Sequence, residues 1–361
     1  MRLKMNRRTF LKMTGTAVLA GALAGCGGSG SGNGGGNGGN PGGGDGPENP
    51  GGGDGPENPG GGEDKPSGGK KEQGYYTAAV PDTQGVYWTY YYEGSGTKAK
   101  LTGYNRYKGV QPSGKVTLPS TLDGLRITEV AALSFSWLLK FGYLNGIEEE
   151  LPNFTKSSFA QVTELTVPAS ITLIGIKAFD ACIDSGYGTH QVATSLKKIT
   201  FLGKTLLASG AFYDNDKLEE IVGIENIECS DPSYAGTCFE NTGFRELHIA
   251  SNLMYRELFT GCKKLEKVTI QKGVPVIRWG VFSYCDALSK IYIPTSVTSI
   301  EERAFYVDYY EEEEVKEKVK LTVYYGGSEA QWKNLMQKTA DGNDRLKNAT
   351  VRYNQSPDDM K

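Results

Sequence analysis

Leu265-Glu-Lys-Val268-Thr-Ile270, followed by Val274, Ile277 and Val281-Phe282-Ser-Tyr-Cys285, is matched one unit later by Leu288-Ser-Lys-Ile291-Tyr-Ile293-Pro294, Val297, Ile300 and Ala304-Phe305. The two leading leucines are 23 residues apart, and so are the two phenylalanines. Working outward, Val162-Thr-Glu-Leu165-Thr-Val167-Pro168, Ile171, Ile174 and Ala178-Phe179-Asp-Ala-Cys182 follow the same scheme. Leu196, Ile199, Phe201 and Ala211-Phe212 form another copy, as do Phe244, Leu247, Ile249 and Phe259-Thr-Gly-Cys262. A more irregular copy runs from Leu218 to Phe239, and a partial first one from Val116 through Pro119, Ile127 and Val130 to Phe135.

One unit can be read physically. Leu-x-x-Ile-x-Ile gives a short strand whose alternate side chains point inward, and Pro, where present, stops it. A second apolar pair crosses back, and Ala-Phe returns the chain to the core. No such coil can bury its apolar set alone, so stacking must supply the core. The unit length is that of leucine-rich repeats. The prediction is a β-rich leucine-rich-repeat solenoid of about seven repeats of roughly 20–34 residues. Gly85-Val-Tyr-Trp-Thr-Tyr-Tyr-Tyr92, the turn Glu93-Gly-Ser-Gly96 and Ala99-Lys-Leu-Thr-Gly-Tyr104 read as an N-terminal β-hairpin cap. Ser328-x-x-Gln331 fits a capping box that opens a short C-terminal helix cap, with Trp332, Leu335 and Met336 on one side.

Cys182, Cys262 and Cys285 each lie three residues after a repeat Phe, where Asn215 stands in another unit. A fixed Cys-or-Asn slot points to small buried packing rather than redox or metal chemistry. Cys238 occupies the small-residue slot before Phe239. Cys229 stands apart and is expected to be free, pairing with Cys238 being the alternative.

These repeats resemble the BspA-like leucine-rich-repeat family of surface proteins. The resemblance rests on Thr102-Gly-Tyr104 leading to Thr117-Leu-Pro-Ser-Thr-Leu-Asp-Gly124, on Ile293-Pro-Thr-Ser-Val-Thr-Ser-Ile300 and on the Ala-Phe-x-x-Cys endings. Val323-Tyr-Tyr-Gly-Gly-Ser-Glu-Ala-Gln-Trp332 matches the family's strand-and-helix ending, and the resemblance covers most of 99–335. It implies adhesion to proteins or other surfaces and carries over no catalytic residues. Residues 136–161 depart from it as an insertion, and the 218–239 unit lacks the Pro.

The N-terminus is an address. Arg2, Lys4, Arg7, Arg8 and Lys12 precede a weakly apolar run, the layout of a secretory signal. Asn6-Arg7-Arg8-Thr9-Phe10-Leu11-Lys12 resembles the twin-arginine export signal, with Asn6 where Ser or Thr is usual. An ordinary secretory signal with a chance Arg pair is the alternative. Leu23-Ala24-Gly25-Cys26 resembles a bacterial lipobox, which would attach lipid to Cys26 and make the membrane a partner through that anchor. From Gly27 to about Gly69 the chain is Gly, Asn, Pro, Asp, Glu and Ser apart from Lys65, and the nonapeptide at 42–50 recurs at 51–59. With nothing to bury, this stretch is expected to be a flexible tether reaching roughly 40 Å. The expected division is 1–26 signal, 27–73 linker, 74–115 capping hairpin, 116–323 solenoid and 324–361 C-terminal cap and tail.

Net charge is −3 and there are two histidines in 361 residues, which argues against nucleic acid as a partner and against a His-built metal or acid–base site. The acidic run Glu311 to Glu314 lacks the Gly and the spacing of a calcium loop. No catalytic motif stands out, so no enzyme activity, cofactor or metal is expected. The outward strand positions form two columns, Glu164, Lys198, Glu220, Glu246, Lys267, Lys290 and Thr166, Thr200, Val222, His248, Thr269, Tyr292. Solenoids bind through such ladders, although a solvated face reads the same way. The expected function is that of an envelope lipoprotein binding an extracellular protein or glycan, with His248 and Tyr292 the foremost contacts. The alternatives are a glycan-capturing lipoprotein of an uptake system and an envelope structural protein. The aromatics Tyr75, Tyr76, Tyr87, Trp88 and Tyr90 to Tyr92 read either as a sugar-stacking platform or as a capping strand.

Overall fold

The computed structural model describes residues 71–135, 159–184, 190–192, 194–229, 237–250, 253–307 and 319–361. Its strands are β1 (Gly74–Thr77), β2 (Val86–Tyr92), β3 (Lys98–Gly109), β4 (Gly114–Thr117), β5 (Thr121–Leu122), β6 (Leu125–Val130) and β7 (Val162–Val167). They continue with β8 (Leu173–Ile174), β9 (Cys182–Asp184), β10 (His190–Val192), β11 (Lys198–Phe201), β12 (Thr205–Leu207), β13 (Glu220–Val222) and β14 (Ile227–Cys229). The last are β15 (Glu246–Ile249), β16 (Lys267–Ile270), β17 (Val276–Ile277), β18 (Lys290–Ile293), β19 (Ser299–Ile300), β20 (Thr322–Tyr325) and β21 (Thr350–Arg352). Among the described residues the α-helices are α1 (Glu329–Gln337) and α2 (Asp344–Lys347).

The Leu-x-x-Ile-x-Ile strands stack in parallel, as β4-β7-β11-β13 and as β15-β16-β18-β20-β21. Their alternate side chains, among them Leu165, Ile199, Val268, Ile270, Ile291, Ile293 and Val323, are at most 1% exposed. The second apolar pair of each unit, read from sequence only as a crossing, is itself a parallel ladder. Strands β6, β8, β12 and β14 stack through Glu129↔Leu173, Leu206↔Leu173 and Thr205↔Ile227, and β17 pairs with β19. Two ladders flank one core, and the fold is a β-rich leucine-rich-repeat type.

Between the ladders runs a column of phenylalanines. Phe135, Phe179, Phe212, Phe239, Phe259, Phe282 and Phe305 follow each other at ring-centroid distances of 5.0, 5.1, 5.7, 6.0, 6.4 and 5.6 Å. Beneath each ring the main chain is stapled to the next coil. Phe179 N–H donates to the Ala211 carbonyl at 2.9 Å, Phe212 to Cys238 at 2.9 Å and Phe282 to Ala304 at 2.9 Å. Two residues before each ring the backbone is left-handed, at Leu133, Lys177, Gly210, Thr237, Glu257, Gly280 and Arg303.

The column has an end at each side. Trp88 meets Phe135 edge-on at 6.3 Å, its Nε1 donating to Asp82 at 2.8 Å. Trp88, Tyr90 and Tyr92 are buried on the inward face of β2, which takes them out of any sugar-stacking platform and leaves Tyr75 as an exposed ring. The hairpin β2–β3 runs antiparallel, while β3 continues parallel into β6. Asp123-Gly124, both with positive φ, forms the two-residue turn of a second hairpin, β5–β6. The Asp123 carboxylate accepts from Lys71, Tyr90 and the Ala79 N–H; burial alone would raise it, but these bonds hold it below the usual carboxylate range.

At the far end Phe305 N–H has no further coil and donates to Asn343 Oδ1 at 3.0 Å. Asn343, fully buried, gives its Nδ2 to Glu301 and Ala340 carbonyls at 2.9 Å each. Arg303 N–H to Asp341 O and Ala340 N–H to Ile300 O extend the same staples, so residues 340–343 supply the backbone of one more coil. Helix α1 opens on the Ser328/Gln331 capping box and buries Trp332 and Leu335, with Met336 packed beside them.

Candidate functional site

The register brings the outward residues into columns. In the first sheet Lys115, Glu164, Lys198 and Glu220 are consecutive partners, and so are Thr117, Thr166, Thr200 and Val222. In the second, Glu246, Lys267, Lys290 and Thr322 form one column and His248, Thr269, Tyr292, Tyr324 and Arg352 the other. The columns expected to be continuous are therefore divided, because strand pairing stops between β13 and β15. Gly223 ends β13 after three residues: its φ is 77°, and a Cβ there would lie 2.2 Å from the Phe201 carbonyl oxygen.

The charged column is largely self-paired. Lys115–Glu164, Lys198–Glu220 and Glu246–Lys267 lie at 2.8, 2.6 and 2.9 Å, solvent-exposed pairs that stabilise by about 1 kcal/mol or less each. His248 Nε2 lies 3.5 Å from Glu246 with its side chain 61% exposed. Thr269, between His248 and Tyr292 in register, is 6% exposed and shielded by position from a large partner. Tyr292 is half-buried, its burial raising the phenol, and its oxygen lies against Gly326, where a Cβ would come within 2.9 Å.

A strap unseen in the sequence lies over the C-terminal end of this face. Residues Pro357–Met360 form a 3-10 turn against β18 and β20, opened by Ser356 and Asp359. Lys290 Nζ donates to the main-chain oxygen of Met360 at 3.3 Å. Met360 is 1% and Tyr324 4% exposed, yet neither belongs to the core between the ladders. Arg352 sits 5.3 Å from the Tyr324 ring centre. The open part of the second sheet is thus the end carrying Glu246, His248 and Lys267.

On the turn side of the coils Asp180, Asp214, Glu240 and Glu257 gather around Lys177, with Lys177–Asp180 at 3.2 Å and Asn241 Nδ2 donating to Asp214 at 2.7 Å. Burial, then the charges of Glu257 and Asp214, push Glu240 up to about 7, with Lys177 opposing. Among the described residues no group of three His, Cys, Asp or Glu side chains is placed to hold a metal.

The cysteine slot is structural. Asn215 Nδ2 donates to the Phe179 carbonyl at 2.9 Å, Thr242 Oγ1 to Phe239 at 2.8 Å, and Cys262 and Cys285 to Phe239 and Phe259 at 3.4 and 3.3 Å. Each satisfies a carbonyl in the Phe column. Cys229, Cys238, Cys262 and Cys285 are all buried and none is in a disulfide.

Arg7, Arg8, Phe10, Leu11, Cys26, the linker, most of the 136–161 insertion and the run Glu311 to Glu314 lie outside the described residues, as does the Cys182 side chain. No described helix is long and apolar enough to cross a membrane.

Stacked parallel strands around a phenylalanine column define a leucine-rich-repeat protein. Residues 190–312 match the BspA type leucine rich repeat region in six copies, and this part of the chain is a run of BspA-type repeats. No curated protein matches the chain. Among solved structures it is similar to a leucine rich cell surface protein of Faecalibacterium prausnitzii, at 17% identity and TM-score 0.37, covering 80% of this chain and 56% of that one. It is also similar to the leucine rich repeat protein of T. pallidum, at 19% identity and TM-score 0.38, covering 61% of this chain and 81% of that one.

Proposed function

We propose that the chain is an exported lipoprotein of the bacterial envelope, anchored through Cys26, that binds a protein or glycan ligand on its outward strand face without catalysis. The lipobox Leu23 to Cys26, the twin-arginine-like Arg7-Arg8 and the linker after them support export and tethering. The BspA-type repeats support a binding role, since a stack of coils offers one regular side-chain column to a partner.

The observation that carries the reading is the open end of the second sheet. There Glu246, His248 and Lys267 stand in register on β15 and β16, with His248 61% exposed although the core needs nothing from its side chain. Glu164, Thr166, Lys198 and Thr200 offer a second, charge-paired patch, while Lys290 and Tyr292 lie beside the strap and are secondary contacts.

The test is saturable binding of the purified protein to a panel of matrix proteins, mucin and polysaccharides. His248→Ala, with circular dichroism unchanged, is expected to weaken binding roughly tenfold, the scale of one well-placed contact. Saturable binding that His248→Ala and Lys267→Ala both leave intact would move the site off this face. No binding across the panel would sink the adhesive reading.

A further inference from the structure

Two thiols meet where the back ladder ends. Cys229 closes β14, pairs in register with Leu207 and is 6% exposed. Cys238 fills the slot before Phe239, and its Sγ lies 3.3 Å from the carbonyl of Ala208, the residue after Leu207. One neighbouring coil therefore brings both side chains to the same place, and the two thiols are hydrogen-bonded to each other. The Cys229 main chain is also hydrogen-bonded to the Tyr255 hydroxyl.

Cys262 and Cys285 are also hydrogen-bonded to each other, but both are 0% exposed in the Phe column, each bonded as well to a carbonyl of the preceding coil, whereas Cys229 keeps 6% exposure. Cys229 is the last residue of β14, the last strand of its sheet among the described residues.

We propose that Cys229 and Cys238 form a dithiol that closes to a disulfide by exchange with an external disulfide, tying the end of β14 to the residue before Phe239. The Cys229 thiolate attacks one sulfur of the external disulfide, giving a mixed disulfide and releasing one thiolate. Cys238 then attacks the Cys229 sulfur and releases the second. Two protons leave the protein thiols for the two released thiolates, and the external disulfide takes up the two electrons. The chemistry is independent of any ligand on the strand face. The hydrogen bond to Cys238, together with burial, holds the Cys229 thiol above the usual cysteine range, so exchange is slow at neutral pH and quickens in alkali.

The test is incubation of the folded protein with glutathione disulfide at alkaline pH, followed by non-reducing tryptic mapping. Lys217 and Arg245 bound one peptide that contains both cysteines. It is expected to lose two hydrogens, to regain them with dithiothreitol, and to leave Cys262 and Cys285 as thiols. In Cys238→Ser a stable glutathione adduct is expected at Cys229 instead, and Cys238→Ala serves if the serine perturbs folding. The oxidised protein should melt higher by roughly 5 °C, as expected for a short closed loop. Closure only in denaturant, equal oxidation of Cys262 and Cys285, or a disulfide that leaves the melting point unchanged would each overturn the proposal.

Discussion

Phe212→Ala removes an interior ring of the phenylalanine column. Phe212 is fully buried, lies 5.1 Å from Phe179 at 1° and 5.7 Å from Phe239 at 6°, and meets Phe201 edge-on at 6.2 Å. Truncating a buried Phe costs about 3–5 kcal/mol in transfer and cavity terms. With ring partners on both sides, a loss of about 4 kcal/mol, above the low end of that range, is expected. For a chain of this size that lowers the melting temperature by roughly 10 °C. Phe305→Ala should cost less, about 3 kcal/mol, because Phe305 ends the stack with Phe282, at 5.6 Å, as its one ring neighbour among the described residues. The sharper test is a pair of double-mutant cycles by urea denaturation. Phe212→Ala with Phe239→Ala should depart from additivity by roughly 0.5–1.5 kcal/mol, since each removes the other's stacking partner. Phe212→Ala with Phe305→Ala should add. Additivity in the adjacent pair, or a larger loss at Phe305 than at Phe212, would refute the column as a chain of nearest-neighbour couplings.

Asn343→Ala leaves the Phe305 N–H and the Glu301 and Ala340 carbonyls without their buried partner, and a loss of about 2–4 kcal/mol in chemical denaturation is expected. Because the folded protein raises Glu240 to about 7 from 4.5, its contribution to stability is complete below about pH 4.5 and is lost as pH rises through 7. Glu240→Gln should therefore match the parent at pH 4.5 and exceed it above pH 7 by roughly 1–2 kcal/mol after allowing for solvent screening, read from melts across pH. Cys26→Ala should shift the protein from the membrane fraction to the medium or soluble envelope fraction of expressing cells, and unchanged membrane retention would sink the lipobox reading.

What was legible in the sequence is what burial repeats. Leu165, Ile199, Val268 and Ile291 recur because the strand interior admits only apolar side chains, and the period of two places them. The Phe at the end of each unit was legible for the same reason. The left-handed position two residues before it was not: it holds Leu133, Lys177, Gly210, Thr237, Glu257, Gly280 and Arg303 in turn. No shared residue type marks it, because the staples from coil to coil fix that backbone whatever side chain it carries. The second ladder was hidden for a related reason, its strands β8, β17 and β19 being two residues long, too short for any alternation to show. Asn343 was hidden because it replaces the missing coil from outside the repeat period. Asp123-Gly124, by contrast, is the sequence signature of a two-residue hairpin turn and was there to be read.

The candidate face divides along the same line. Which residues share a column follows from spacing, and the register matches Glu164 to Lys198 and His248 to Thr269 as that spacing requires. Whether a column position is available to a ligand is set by what the fold lays beside it. Thr269 is withdrawn because a small side chain stands between His248 and Tyr292. Tyr292 leans on a glycine that comes 34 residues later in the chain, and Lys290 is held by main-chain oxygens from a strap about twice as far away. Those contacts join segments with no common period, so a repeat pattern carries no information about them. Availability in a solenoid is thus decided where the repetition fails, at the end of the stack and at the break after Gly223. Contact residues should accordingly be sought at β15, the first strand after that break, ahead of the regular middle of the ladder.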